Sequence, residues 1–277
     1  MLSGKYRMKP LVLISIFVWA ALLTPVAAQD YDSGMRAYRA KDYAGAVHQW
    51  TPLAEQGIAR AQNSLGFMYA AGRGVKRDFK TAAIWYRKAA EQGDARAQSR
   101  LGELFEAGRG VAKSYPDAQI WYRKAAEQGL ARAQYTLARL HWFGRGSKKS
   151  YPEAAKWYRK AAEQNYAKAQ SSLGYMYFNG QGLKKSSADA AIWYRKGANL
   201  GNPVAQSRLG TLMAAGNGVA KDPVEAYFWM TLAIKRSSGN LKKNITTERA
   251  RLAKTMTPAQ TLSAGRRAAG WSVKTPK

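Results

Sequence analysis

The sequence predicts an all-α fold, a solenoid of stacked helix pairs, on three observations. The phrase IWYRKAAEQG at 84–93 recurs at 120–129, with near-copies KWYRKAAEQN at 156–165 and IWYRKGANLG at 192–201. Trp85, Trp121, Trp157, Trp193 and Trp229 fall one period of 36 residues apart. Start and stop signals for two helices recur inside every period. A fixed period in this range marks a stack of supersecondary units, none of which can bury its apolar face alone.

Taken in order, the chain opens on a leader pattern. Lys5, Arg7 and Lys9 precede a 13-residue apolar run from Leu11 to Leu23, and Val26-Ala27-Ala28 offers small residues for cleavage. Residues 1–28 therefore read as a secretory signal peptide cut after Ala28. The run is short for a membrane span, which needs about 20 residues. The expected compartment is periplasmic or secreted. There are no cysteines, which excludes a disulfide framework, a thiol nucleophile and a lipoprotein anchor.

Residues 29–57 read as an N-terminal half repeat, because Asp42 matches Asp78 and Glu55-Gln56-Gly57 matches Glu91-Gln92-Gly93. Five full units follow at 58–93, 94–129, 130–165, 166–201 and 202–237. In each, a first helix begins at signals such as Asp94 or Asn202-Pro203, an N-cap and a proline in the first turn. It carries an apolar stripe such as Ala61, Leu65 and Met68-Tyr69 and stops at Gly72-Arg73-Gly74, where glycine tolerates the left-handed conformation. The second helix opens at Ser114-Tyr-Pro-Asp117, Ser150-Tyr-Pro-Glu153 or Ser186-Ser-Ala-Asp189. These read as capping boxes in which hydroxyl and carboxylate each take one backbone N–H. Ala82, Trp85-Tyr86 and Ala89-Ala90 form its buried stripe.

Gly66, Gly102, Gly174 and Gly210 recur in mid-helix at about 1 kcal/mol each, so a packing need must recur with them. Residues 238–277 break the period and read as a C-terminal helical cap with a basic tail. One helix covers Leu241 to Met256, and another starts at Thr257-Pro258.

The pattern A-x-x-x-L-G-x-x-Y, then G-x-G-V, then A-x-x-W-Y-x-K-A-A-x-x-G, resembles the Sel-1-like repeat family, relatives of tetratricopeptide repeats. It covers 58–237 in full and 35–57 in part. The resemblance implies a curved, right-handed α-solenoid of 36-residue helix-turn-helix repeats with first helices on the concave face. It also implies adaptor roles. Many secreted relatives carry a cysteine pair per repeat; this chain holds its stack without them. Some relatives bear a β-lactamase-like label, but no S-x-x-K occurs here to supply that nucleophile.

The 45 Lys+Arg against 17 Asp+Glu give +28, and loss of the leader leaves 42 against 17, or +25. Such an excess favours a densely negative partner, and export argues against nucleic acid. His48 and His141 are too few for a metal centre without cysteine. His141 stands in a column otherwise filled by Tyr69, Phe105, Tyr177 and Met213, so it reads as one ring replacing another. The Gly-x-Gly pairs follow helices and lack G-K-[S/T], so they are turns and not phosphate loops. No catalytic pair and no cofactor signature is present, and the chain reads as non-enzymatic.

The informative positions are those where the copies differ, spaced i, i+4, i+7 on one face of each first helix. They are Asn63, Phe67 and Ala70, then Ser99, Glu103 and Glu106, then Tyr135, Arg139 and Trp142. The fourth unit has Ser171, Tyr175 and Phe178, and the fifth Ser207, Thr211 and Ala214. Tyr135, Arg139, Trp142, Phe143, Tyr175 and Phe178 therefore form the expected partner-binding patch, aromatic and basic together. A second column, Arg60, Arg96, Arg132 and Lys168, is expected to line up as a basic ridge. The Arg-Lys pairs at 87, 123, 159 and 195 read as a solvated outer face. The expected function is a protein-protein interaction scaffold for an acidic or amphipathic segment. The alternative is a binder of acidic polysaccharide, peptidoglycan or anionic lipid headgroups; whether the basic tail touches membrane or only caps is left open. Oligomeric state is left open.

Overall fold

A computed structural model describes residues 23–273, with side chains from Tyr31 onward. The first 22 residues of the expected leader, and residues 274–277 of the basic tail, lie outside the described residues. Among the described residues there are fourteen helices and no strand. They form two compact units, with the division between Gln92 and Gly93.

The first unit holds α1 (Leu23–Arg39), α2 (Tyr43–Glu55), α3 (Ala59–Ala71) and α4 (Phe79–Glu91). The segment read as a half repeat thus contains α2 and most of α1, which begins at Leu23, within the segment read as the leader. Trp50 lies against Gly34, where a Cβ would fall 2.3 Å from the indole nitrogen. The indole N–H donates to the Tyr31 carbonyl at 3.1 Å. The same device recurs one pair later, with Tyr86 filling the notch left by Gly66.

The second unit holds α5 (Ala95–Ala107), α6 (Tyr115–Glu127), α7 (Ala131–Phe143), α8 (Tyr151–Glu163), α9 (Ala167–Asn179), α10 (Ser187–Asn199), α11 (Pro203–Ala215), α12 (Pro223–Arg236), α13 (Gly239–Ala253) and α14 (Pro258–Ala269). Within it each repeat helix packs on its neighbours in sequence, the nearest-neighbour order of a solenoid. The mid-helix glycines are notches for large side chains, a tyrosine ring in most repeats and Met230 at Gly210. A Cβ at Gly174 would lie 2.8 Å from the Tyr194 ring, and one at Gly102 would lie 3.1 Å from the Tyr122 ring. The helix-propensity loss at these glycines is offset by tyrosines that are about 1% exposed.

The helix starts depart from the expected reciprocal capping boxes. Ser114, Ser150 and Ser186 do accept the N–H of Asp117, Glu153 and Asp189. Their own N–H groups, however, donate to first-helix carbonyls at Phe105, His141 and Tyr177, at 2.9 to 3.0 Å. That bond ties the second helix to the first and leaves the carboxylate nothing to cap. Among the described residues the full capping box forms at Thr257 and Gln260, at the head of α14.

A buried glutamine runs through the stack. Gln134 donates to the Ala126 carbonyl at 3.0 Å and accepts from Gln164 at 2.8 Å. Gln170 and Gln206 donate to Ala162 and Ala198 in the same way. The ladder lapses at its end. Leu200 stands where Gln164 stands one period earlier, and the Gln170 and Gln206 side-chain oxygens have no partner. The C-terminal helices close the unit as expected of a cap. Both α13 and α14 pack on α12, and Trp271 returns edge-on to Trp229 at 6.3 Å with Arg236 over its ring.

Candidate binding face

The face is built by three first helices of the second unit. On α7 the i, i+4, i+7 spacing brings Tyr135, Arg139 and Trp142 to one side, with Phe143 beside them. α9 adds Ser171, Ser172 and Tyr175, and α11 adds Val204 and Arg208. Behind them stand Tyr158 of α8 and Tyr194 of α10. Together these residues line a cavity of about 390 Å³.

Ring contacts set its walls. Trp142 meets Tyr151 at 4.8 Å and Tyr175 at 5.9 Å, both edge-on. Tyr135 leans on Tyr158 at 5.6 Å and on Tyr166 at 5.2 Å. Ser172 lies close to the phenols of Tyr135 and Tyr158. These contacts hold the aromatic side chains without covering them. Phe143 stays 55% exposed and Tyr175 39% exposed, which is unusual for rings in a folded interior and typical of a contact surface.

Charge is also left open. Among the described residues neither Arg139 nor Arg208 has a carboxylate partner, whereas Arg132 pairs with Glu103 at 2.7 Å. Burial, above all, pushes the Tyr158 and Tyr194 phenols well above the usual range, so both remain protonated donors. Tyr194 is 1% exposed and its hydroxyl has no hydrogen-bond partner.

Five of the six expected patch residues, Tyr135, Arg139, Trp142, Phe143 and Tyr175, thus meet in one cavity. Phe178 does not join them; it packs, partly buried, against the core of α10, α11 and α12. The expected basic ridge is interrupted. Arg132 is neutralised by Glu103, Arg60 lies over the Tyr31 ring at 4.3 Å, and Arg96 and Lys168 are exposed. The Arg-Lys pairs are not simply solvated. Lys124, Lys160 and Lys196 sit 4.2 to 4.7 Å above Trp121, Trp157 and Trp193 of their own helices, a cation–π pairing at i, i+3. Arg159 donates to the Tyr177 hydroxyl at 2.6 Å, and Arg123 approaches the equivalent His141 ring at 3.5 Å. His141 is buried as a ring replacing a ring, and burial, then Arg123, lowers its pKa. The variable columns chosen from the sequence leave out Arg208, Ser172 and Tyr194. Arg208 belongs to a fourth differing column, Ser64, Arg100, Thr136, Ser172 and Arg208, that the same comparison of copies reaches. Tyr194 belongs to a column that is tyrosine in the first four repeats and Met230 in the fifth, which carries no such signal.

Among the described residues no group of His, Cys, Asp and Glu is placed to hold a metal, and no helix is long and apolar enough to cross a membrane. The sequence profile of the Sel1 repeat matches residues 59–94, 95–130, 131–166, 167–202 and 203–238. The chain belongs to the Sel1 repeat family. Sel1 repeat proteins are helical interaction scaffolds and are generally non-catalytic. A Sel1 repeat protein from Oxalobacter formigenes is similar in structure, with a TM-score of 0.76 and 34% identity over 86% of this chain and 98% of that one. So is c5321, a protective antigen of uropathogenic Escherichia coli strains, with a TM-score of 0.78 and 32% identity. That match spans 88% of this Sel1 repeat chain but 53% of the antigen. Comparison with curated proteins found no match.

Proposed function

We propose that this Sel1 repeat protein is an exported, non-enzymatic scaffold that holds an acidic or amphipathic segment of a protein partner on the face of α7, α9 and α11. The observation that carries the reading is the cavity where open aromatic rings stand beside Arg139 and Arg208, neither with a carboxylate partner among the described residues. Exposed aromatic and arginine anchors are the residue types that dominate binding energy at interfaces. The excess of positive charge steers an acidic partner toward the face and speeds encounter. Export rests on the leader pattern at 1–28.

The test is partner capture by crosslinking in intact cells, followed by recovery from the periplasmic fraction. Trp142→Ala and Arg139→Ala are each expected to weaken capture about tenfold or more, the scale of an interface anchor. Both variants should melt within about 3 °C of the parent, a shift on the order of 1 kcal/mol or less, since neither side chain is core. Undiminished capture by both variants overturns the face, and absence of the chain from that fraction overturns export. Retention of the partner at moderate salt supports a protein ligand with apolar anchors. Steep loss with ionic strength supports a polyanion in its place.

A further inference from the structure

Internal repetition supplies a template for the ligand. In the second repeat the Tyr122 hydroxyl donates to Glu106 Oε2 at 3.1 Å. Arg145 lies 3.9 Å from the other oxygen of that carboxylate, and Arg132 pairs with neighbouring Glu103. There, a buried phenol meets an acid that arginines surround.

Two periods later Tyr194 takes the place of Tyr122. The positions of Glu103 and Glu106 are now Tyr175 and Phe178, and the position of Thr136 is Arg208. The phenol is kept, the acid is gone, and Arg208 is the cation that remains, since the positions of Arg132 and Arg145 are now Val204 and Asn217. The Tyr194 hydroxyl is consequently buried with no partner, at the wall of an open cavity. The charge that acts on it is Arg208, while Arg139 acts on Tyr135 and Tyr158 on the α7 side. One cation therefore stands on the α7 wall and one on the α11 wall, with Trp142 and Tyr175 also lining the cavity.

We infer that the cavity takes a protein segment in which two acidic side chains flank one bulky apolar side chain. One carboxylate meets Arg139. The other meets Arg208 and receives the Tyr194 hydroxyl, restoring in trans the pairing that Glu106 supplies in cis to Tyr122. The apolar side chain lies against Trp142 and Tyr175. The 390 Å³ volume is within the range of pockets that enclose such a group. This inference rests on the scaffold reading and deepens it.

The test is calorimetric titration of the full chain with blocked nonapeptides centred on Glu-Leu-Glu, Gln-Leu-Gln and Glu-Gly-Glu, and with polygalacturonate. The Glu-Leu-Glu peptide is expected to bind at least about tenfold more tightly than either of the other peptides, as charge-assisted pairs and an apolar anchor each require. Arg208→Gln should remove about tenfold of that affinity. Tyr194→Phe should weaken it several-fold without lowering the melting temperature, because the hydroxyl it removes has no partner in the free chain. Equal binding of the Gln-Leu-Gln peptide, an unaffected Arg208→Gln variant, or tighter binding of polygalacturonate overturns the inference. The same variants in the cellular crosslinking assay separate the two readings. Capture lost with Trp142→Ala but kept with Arg208→Gln leaves the scaffold standing and removes the diacidic ligand. Capture kept by both removes the scaffold face as well.

Discussion

At the scale of single residues, His141 shows how a repeat absorbs a substitution and acquires a pH dependence by doing so. Its column holds Phe105 and Tyr177 in neighbouring repeats, and its ring is 5% exposed. Gln119 reaches Nε2 at 3.3 Å and Arg123 the same atom at 3.5 Å, while Nδ1 has no partner. Burial first, and Arg123 second, hold its pKa below the ordinary 6.5, with Glu153 opposing. The unfolded chain takes up a proton near 6.5 that the folded chain refuses. This group's contribution to stability is therefore intact above 6.5 and is lost as pH falls through the lowered folded value. His141→Phe is expected to flatten stability between about pH 7 and pH 5, read as urea midpoints across that range. A parent chain whose midpoint is already flat there would contradict the assignment. Tyr194 makes the complementary point. Its ring fills the Gly174 notch, while its hydroxyl has no hydrogen-bond partner in the free chain.

At the scale of elements, the glutamine ladder ties consecutive helix pairs through their ends. Gln134 serves two partners, the Ala126 carbonyl and the Gln164 amide, whereas Gln170 serves the Ala162 carbonyl and leaves its own oxygen orphaned. Leaving a buried polar group without its hydrogen bond costs about 1–3 kcal/mol. Gln134→Leu removes two hydrogen bonds, one to the Ala126 carbonyl and one from the Gln164 amide, and is expected to cost about 2 kcal/mol. Gln170→Leu removes the bond to the Ala162 carbonyl and a long one to Asn165 at 3.5 Å, but also removes an orphaned oxygen, and should cost about 1 kcal/mol less. Chemical denaturation of the two variants reads the difference, and equal losses would show that the ladder is not what couples the pairs. None of this was visible in the sequence, where Ala-Gln at the helix start looks like an ordinary exposed polar position. The mid-helix glycines were legible as a packing need, because a propensity loss repeated at one position implies that something must fit there; that it is a tyrosine in most repeats and Met230 at Gly210 needed the packed pair. The capping boxes were legible only by half. Sequence spacing assigns the hydroxyl its N–H, but only the packed pair reveals that the cap N–H is claimed by the first helix.

At the scale of the whole molecule, two kinds of position divide the work. Those that repeat, Trp85 and its equivalents, the tyrosine beside most of them, the glycine notches and the Gly-x-Gly stops, build the stack and were readable as a period. Those that differ on the first helices carry the candidate site, and the differences led to Tyr135, Arg139, Trp142, Phe143 and Tyr175. Phe178 was assigned to the same face by spacing alone, but it lies three residues beyond Tyr175 and turns into the core of α10 to α12. Arg208 and Tyr194 needed the neighbouring repeats to be brought together before their meeting could be seen. The central claim is that recognition lies on the first-helix face and not on the second-helix face, which also presents exposed apolar residues. The most direct measurement is photo-crosslinking in intact cells from position 175, 39% exposed on the first-helix face, against position 192, 53% exposed on α10. The expected result is a discrete protein adduct from position 175 and none from position 192; an adduct from 192 with none from 175 would contradict it.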